Sequence, residues 1–148
     1  MKSIYLDNGA TTYPKPESVY KVMDDVSRNL AVNAGRGSYK LARAATELID
    51  ETREKLLNLV NGKDEMYVVL TPSATISANL IIQGMEWKKD DVCYVSPYEH
   101  NAIMRPLHLM EEKYQIEIVQ LPLNDDLTID LEKTEYLFGV KEPKAVFI

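Results

Sequence analysis

From Tyr67 onward the sequence alternates short apolar runs with longer amphipathic stretches, and this alternation constrains the fold more than any other feature. Tyr67-Val68-Val69-Leu70 reads as a strand and 75–87 as a helix. Val92–Val95 is a second strand, followed by a helix over 101–114. Ile116–Leu121 is a third strand, and the next helix, 130–138, is capped by Asp130 and closed by Gly139. Lys144–Ile148 completes the series as a strand. Strands that alternate with helices of this length imply right-handed crossovers and a mostly parallel, helix-covered sheet. The fold class is therefore α/β.

The preceding residues carry a different pattern. A strand-like start at Ile4–Leu6 runs into the turn-rich segment Asp7-Asn8-Gly9-Ala10-Thr11-Thr12. A helix is expected to open at Pro16, since proline is well placed at the first helical position. Val19, Val22, Met23, Val26 and Leu30 follow i, i+3, i+4, i+7 spacing and predict one buried helix face. Asn33-Ala34-Gly35-Arg36-Gly37 breaks that helix. A longer one follows over about 38–60, with Leu41, Ala45, Leu48, Thr52, Leu56 and Leu59 on one stripe and Asn61-Gly62 as its stop.

Composition removes several function classes. The 148 residues carry 17 basic and 23 acidic side chains, a formal charge of −6, with the basic residues scattered, which argues against nucleic acid as a partner. The stretch 66–85 lacks charge over a membrane-span length, but Thr71, Pro72, Ser73, Asn79 and Gln83 interrupt it, so no membrane association is expected. The apolar residues after Met1 meet Asp7 too soon for a signal peptide, and a lone cysteine, Cys93, fits a reducing compartment; the expected location is cytoplasmic. Cys93 sits within a strand without an activating neighbour and reads as a buried, inert thiol. There is no His-x-x-x-His or Cys-x-x-Cys spacing, so no metal site is expected.

In open parallel sheets ligands sit at the carboxyl ends of the strands, so the residues after each strand are the ones to read for chemistry. Thr71-Pro72-Ser73-Ala74-Thr75 opens a helix whose first-turn N–H groups and dipole favour an anion such as phosphate, with Thr75 adding a hydroxyl. Plain capping by Ser73 or Thr75 accounts for the same residues. Ser96-Pro97-Tyr98-Glu99-His100-Asn101 opens the next helix, where His100 can stack on a planar ring, donate a hydrogen bond, or simply cap. His108, on the helix that follows, reads as a packing or solvent-facing residue. The 7–12 segment is compatible with an Asx turn, and Arg36 suits an anion or an interface.

Taken in order, these blocks resemble the cysteine desulfurase and class V aminotransferase family. The likeness rests on Tyr5-Leu6-Asp7-Asn8-Gly9-Ala10-Thr11-Thr12 with Lys15-Pro16, and on Asn33-Ala34-Gly35-Arg36-Gly37. It continues through Thr71-Pro72-Ser73-Ala74-Thr75 with Asn79-Leu80, and through Glu99-His100-Asn101 with Arg105-Pro106-Leu107. The resemblance implies a pyridoxal-phosphate enzyme of fold type I, acting as a homodimer on an amino acid such as cysteine, with sulfur transfer as the reaction. Another class V aminotransferase or a selenocysteine lyase is the alternative within that family, and a non-catalytic binding or assembly subunit is the alternative outside it. On the resemblance, Ala74 and Thr75 hold the cofactor phosphate and His100 stacks on its ring and serves in catalysis. Asn8, Gly9, Ala10 and Arg36 lie near the substrate, Arg36 there or at the dimer interface. Departures are Gly9 where alanine is usual, Ser73-Ala74-Thr75-Ile76 in place of Gly-Thr-Thr-Glu, and Tyr39 where many members have histidine.

The family's Schiff-base lysine usually follows a histidine, and neither His100 nor His108 is followed by lysine. The resemblance places that lysine, the aspartate for the pyridine nitrogen, the sulfur-accepting cysteine and the substrate-carboxylate arginine beyond residue 148. The expectation is an N-terminal segment over 1–62 and the first half of the cofactor-binding domain over 63–148, truncated. Such a chain alone should be inactive, should hold no covalently bound cofactor, and should leave strand edges that drive self-assembly or pairing with a partner chain.

Overall fold

The computed structural model describes residues 4–62 and 67–148, which form two compact units, up to Val69 and from Leu70 to Ile148. The expected domain start at residue 63 lies outside the described residues.

The second unit is built on a three-stranded parallel sheet. Its strands are β1 (Val92–Val95), β2 (Glu117–Gln120) and β3 (Pro143–Phe147), in spatial order β2-β1-β3. β1 is central and all four of its residues are buried, as expected for a strand covered on both faces. Three helices flank the sheet: α3 (Ala74–Gly84), α4 (Asn101–Tyr114) and α5 (Leu131–Val140). The side chains of β1 point alternately to its two faces and divide the core in two. Cys93 and Val95 pack with Ala78 and Ile82 of α3, Leu107 and Met110 of α4, Trp87 and Ile116. Val92 and Tyr94 pack on the opposite side with Leu121, Leu137 and Phe138. The Tyr94 hydroxyl is 3.0 Å from the Leu137 carbonyl and 2.9 Å from that of Lys141, so it ties the sheet to the end of α5.

The first unit contains α1 (Glu17–Asn29) and α2 (Lys40–Leu59). Pro16 stands at the N-cap of α1, one residue before the helix proper. Asn61 adopts φ 55° and the Gly62 N–H donates to the Leu57 carbonyl at 2.7 Å, which ends α2 where Asn-Gly was expected to end it.

Several expectations need correction. Residues 4–6 and 68–70 form no strand, because a strand exists only as part of a ladder and none of the three paired strands takes them as a neighbour. The apolar face of α1 is not buried: Val22 and Met23 are 57% and 59% exposed, and no residue of the helix is buried. The stripe on α2 is rotated from the expected one. Ala42, Ala45 and Leu57 are buried while Leu41, Leu56 and Leu59 face outward. α3 ends at Gly84 instead of Trp87, whose indole N–H turns back to donate to the Ile82 carbonyl at 2.6 Å. Gly139 lies within α5, which runs on to Val140.

Candidate active site

α3 and α4 pack against each other, and a cleft of about 380 Å³ opens beside them. Its wall carries Thr75 and Asn79 from α3, and His100, Asn101, Arg105 and Pro106 from α4 and its cap. Both helices present their N-terminal ends here, since Thr75 is the second residue of α3 and His100 is the N-cap of α4. The positive ends of two helix dipoles therefore border one cleft. Arg105 adds a full positive charge to the same wall.

Local hydrogen bonds explain how each side chain is placed. Ser73 caps α3, its hydroxyl accepting from the Ile76 N–H at 3.3 Å, and so leaves Thr75 free of the capping role. Asn79 sits one turn further along and donates to the Thr75 carbonyl at 2.9 Å. His100 caps α4 by accepting the Ala102 N–H on Nδ1 at 3.1 Å, and its carbonyl accepts the Ile103 N–H at 2.9 Å. Capping and lining the cleft are thus compatible in one residue. His108 is solvent-facing and pairs with Glu111 at 2.9 Å.

The structure brings Thr75 and His100 to one cleft, with Ala74 as the first helical residue next to Thr75. Asn8, Gly9, Ala10 and Arg36 belong to the other unit and are all exposed. There Asn8 accepts the Tyr13 N–H at 3.2 Å and the Ala10 N–H donates to the Asp7 carbonyl at 3.1 Å, while the Tyr5 hydroxyl bonds the carbonyls of Asp7 and Thr11. The turn is closed by backbone bonds to the Asp7 carbonyl, and Asn8 reaches five residues on to Tyr13, so it is a backbone turn and not the expected Asx turn, in which the side chain would accept the N–H two residues on. Beyond it, Gly35 adopts φ +87°, a backbone conformation that favours glycine, whereas Gly37 is held small by side chains, since a Cβ there would lie 2.5 Å from the Tyr39 ring and 2.7 Å from the Ala42 Cβ. A Cβ on Gly9 would meet nothing within 4 Å, so the departure there to glycine is not sterically imposed.

Sequence reasoning missed Asn79 and Arg105 as cleft residues. Both stand in the blocks that carry the family resemblance, and each lies one helical turn after a cleft residue, Asn79 after Thr75 and Arg105 after Asn101. Among the described residues no group of acidic, histidine or cysteine side chains could hold a metal ion, and no helix is long and apolar enough to cross a membrane.

Comparison with known proteins decides the family. The model of the family "Aminotransferase class-V" matches residues 4–148. The chain belongs to the class V aminotransferase family. A probable cysteine desulfurase of Pyrococcus abyssi is 31% identical over 136 residues, which cover 89% of this chain and 33% of that relative. The apo structure of a cysteine desulfurase from Thermococcus onnurineus NA1 superposes with a TM-score of 0.83 at 28% identity, covering 97% of this chain and 35% of that one. A C-DES mutant with glycine covalently linked to its PLP cofactor shares the fold, at TM-score 0.61 and 19% identity over 88% of this chain and 32% of its own. The chain thus spans about a third of the length of the relatives it matches. The mixed α/β architecture, with its parallel sheet and flanking helices, is that of these fold-type-I structures.

Proposed function

We propose that this chain carries the cofactor-phosphate and cofactor-ring side of a pyridoxal-phosphate-dependent, cysteine desulfurase-like enzyme. The substrate is an amino acid such as cysteine, and the reaction is sulfur transfer. The observation that carries the reading is the single cleft shared by Thr75 and His100 at the N-terminal ends of α3 and α4.

The residues present suit such a cofactor. A phosphate dianion is matched by two helix N-termini, the Thr75 hydroxyl and the Arg105 cation. A flat aromatic ring is matched by the His100 imidazole. When bound, pyridoxal phosphate supplies an electron-withdrawing ring that draws negative charge from the substrate's reacting carbon. The chain's own contribution is to hold the phosphate at Ala74 and Thr75 and to set an imidazole beside the ring. On the resemblance, Asn8, Gly9, Ala10 and Arg36 serve the substrate in the whole enzyme. Homodimerisation or other self-assembly belongs to the same proposal, and exposed apolar residues such as Val22 and Met23 support it.

The reading is tested by titrating the chain with pyridoxal phosphate and following its visible spectrum. Loss of a hydrogen bond to a charged group, at about 1.5–3 kcal/mol, predicts that Thr75→Ala weakens binding by at least about tenfold. Pyridoxal without its phosphate should bind far more weakly. Unchanged affinity in T75A removes Thr75 from the site, and equal affinity for pyridoxal removes the phosphate from the argument. Borohydride reduction should leave no stoichiometric adduct on any one lysine, since neither histidine is followed by one.

A further inference from the structure

The turn between β1 and α4 is held by side-chain as well as backbone hydrogen bonds. The Leu121 N–H donates to the Val95 carbonyl at 2.9 Å, and the Ser96 N–H donates to the Phe147 carbonyl at 2.9 Å, so the end of β1 is bonded on both sides. Ser96 is buried, and its hydroxyl donates to Glu99 Oε1 at 3.1 Å while accepting the Tyr98 N–H at 3.2 Å. The Glu99 N–H returns to the Ser96 carbonyl at 3.3 Å. Tyr98 tethers the turn from outside, its hydroxyl donating to the Leu127 carbonyl at 2.8 Å. His100 follows immediately, with φ −75° and ψ 154°, the extended N-cap conformation.

The hydrogen bond at the cap constrains the ring. A backbone N–H can donate only to an unprotonated ring nitrogen, so Nδ1 carries the lone pair and the neutral ring holds its hydrogen on Nε2. His100 also lines the cleft, where Nε2 is the ring nitrogen left for a ligand. We infer that Glu99 is a positioning residue: by clasping Ser96 it fixes the 96–99 turn so that His100 spends Nδ1 on α4 and offers Nε2–H to the cleft. His100 then works as a fixed donor and not as an acceptor at its outer nitrogen. What that donor meets rests on the cofactor reading above, whereas its tautomer and its clasp do not.

Both can be measured on the 15N-labelled chain without ligand. Two-bond ring correlations report which nitrogen of His100 holds the hydrogen, and amide exchange at Ala102 reports the cap. The wild-type ring should show Nε2–H with a protected Ala102 amide. Glu99→Ala should free the ring and speed Ala102 exchange about fivefold, the equivalent of one net hydrogen bond. Glu99→Gln keeps an acceptor at Oε1 and should restore wild-type behaviour, whereas Ser96→Ala should resemble E99A. A wild-type ring protonated on Nδ1 would overturn the assignment, and so would wild-type tautomer and exchange in E99A. Adding pyridoxal phosphate separates the two proposals: ring signals that stay unmoved refute the cofactor reading while leaving the clasp intact.

Discussion

A single cysteine in a family whose relatives are named cysteine desulfurases invites the idea that Cys93 receives the sulfur. Its surroundings argue otherwise. Cys93 lies in the central strand, is 0% exposed, and packs among Ala78, Ile82, Trp87 and Leu107. Burial pushes its thiol from an ordinary 9.0 up to about 12. Only the thiolate is nucleophilic, so at about pH 8 the reactive share falls from roughly one in ten to roughly one in ten thousand. That thousandfold loss precedes any steric exclusion of the reagent.

The assay is alkylation by iodoacetamide followed by intact mass. Native protein should react at least about a thousandfold more slowly than protein in urea, because the thiol must first be exposed by opening. Native labelling within tenfold of the unfolded rate would refute the burial argument. The linked stability has a definite sign. A folded-state value above the unfolded one stabilises the fold below the unfolded value and loses that stabilisation as pH rises between about 9 and 12. That rise corresponds to about 4 kcal/mol. The measured quantity is the stability difference between wild type and Cys93→Ala, which isolates the thiol and should shrink as pH rises. A difference independent of pH would sink the assignment.

Tyr94→Phe keeps the buried ring against Phe138 but removes the hydroxyl shared by the Leu137 and Lys141 carbonyls, and urea unfolding should show a loss of about 1–1.5 kcal/mol. Ser73→Ala deletes the cap on the Ile76 N–H and should cost about 1 kcal/mol, with a lower melting temperature as the readout. Gly9→Ala should be neutral or stabilising by up to about 1 kcal/mol, whereas Gly35→Ala should destabilise by about 1–2 kcal/mol, because only the second position needs positive φ. Val22→Glu on the exposed face of α1 should change the stability of the monomer by less than about 0.5 kcal/mol but weaken self-assembly in sedimentation, and unchanged assembly would remove this face from the interface.

The second unit was legible in the sequence for a physical reason. β1 and α4 begin and end at the residues expected of them, because a fully buried strand and a capped amphipathic helix write their own boundaries in local composition. The cleft was partly legible in the same way: Thr75 and His100 follow strand-like runs, where a parallel sheet gathers its ligands. Asn79 and Arg105 were not, since a helical offset names a neighbour only when the opposing helix is known.

The errors in the first unit and before α3 have another origin. The α1 stripe at Val19, Val22, Met23 and Val26 is correctly spaced for a buried face, yet no residue of the helix is buried. Tyr67 and Val69 have strand composition and stand 84% and 74% exposed, with no ladder. Periodicity records the surface that selection has matched to a partner, whereas burial and pairing record the partner itself. Where the two disagree, the sequence still specifies the contact and the described residues do not supply it. The disagreement marks elements without a neighbour in the three-stranded sheet, and it extends to the edge strand β3, where Val146 is 41% exposed. β1, which has a strand on each side, shows none. An apolar stripe left in water is costly at about 25 cal/mol per Å², so these faces are where a covering chain would gain most. A fragment or subunit that binds there should therefore protect the amides of α1 and 67–70 from exchange before it affects those of β1.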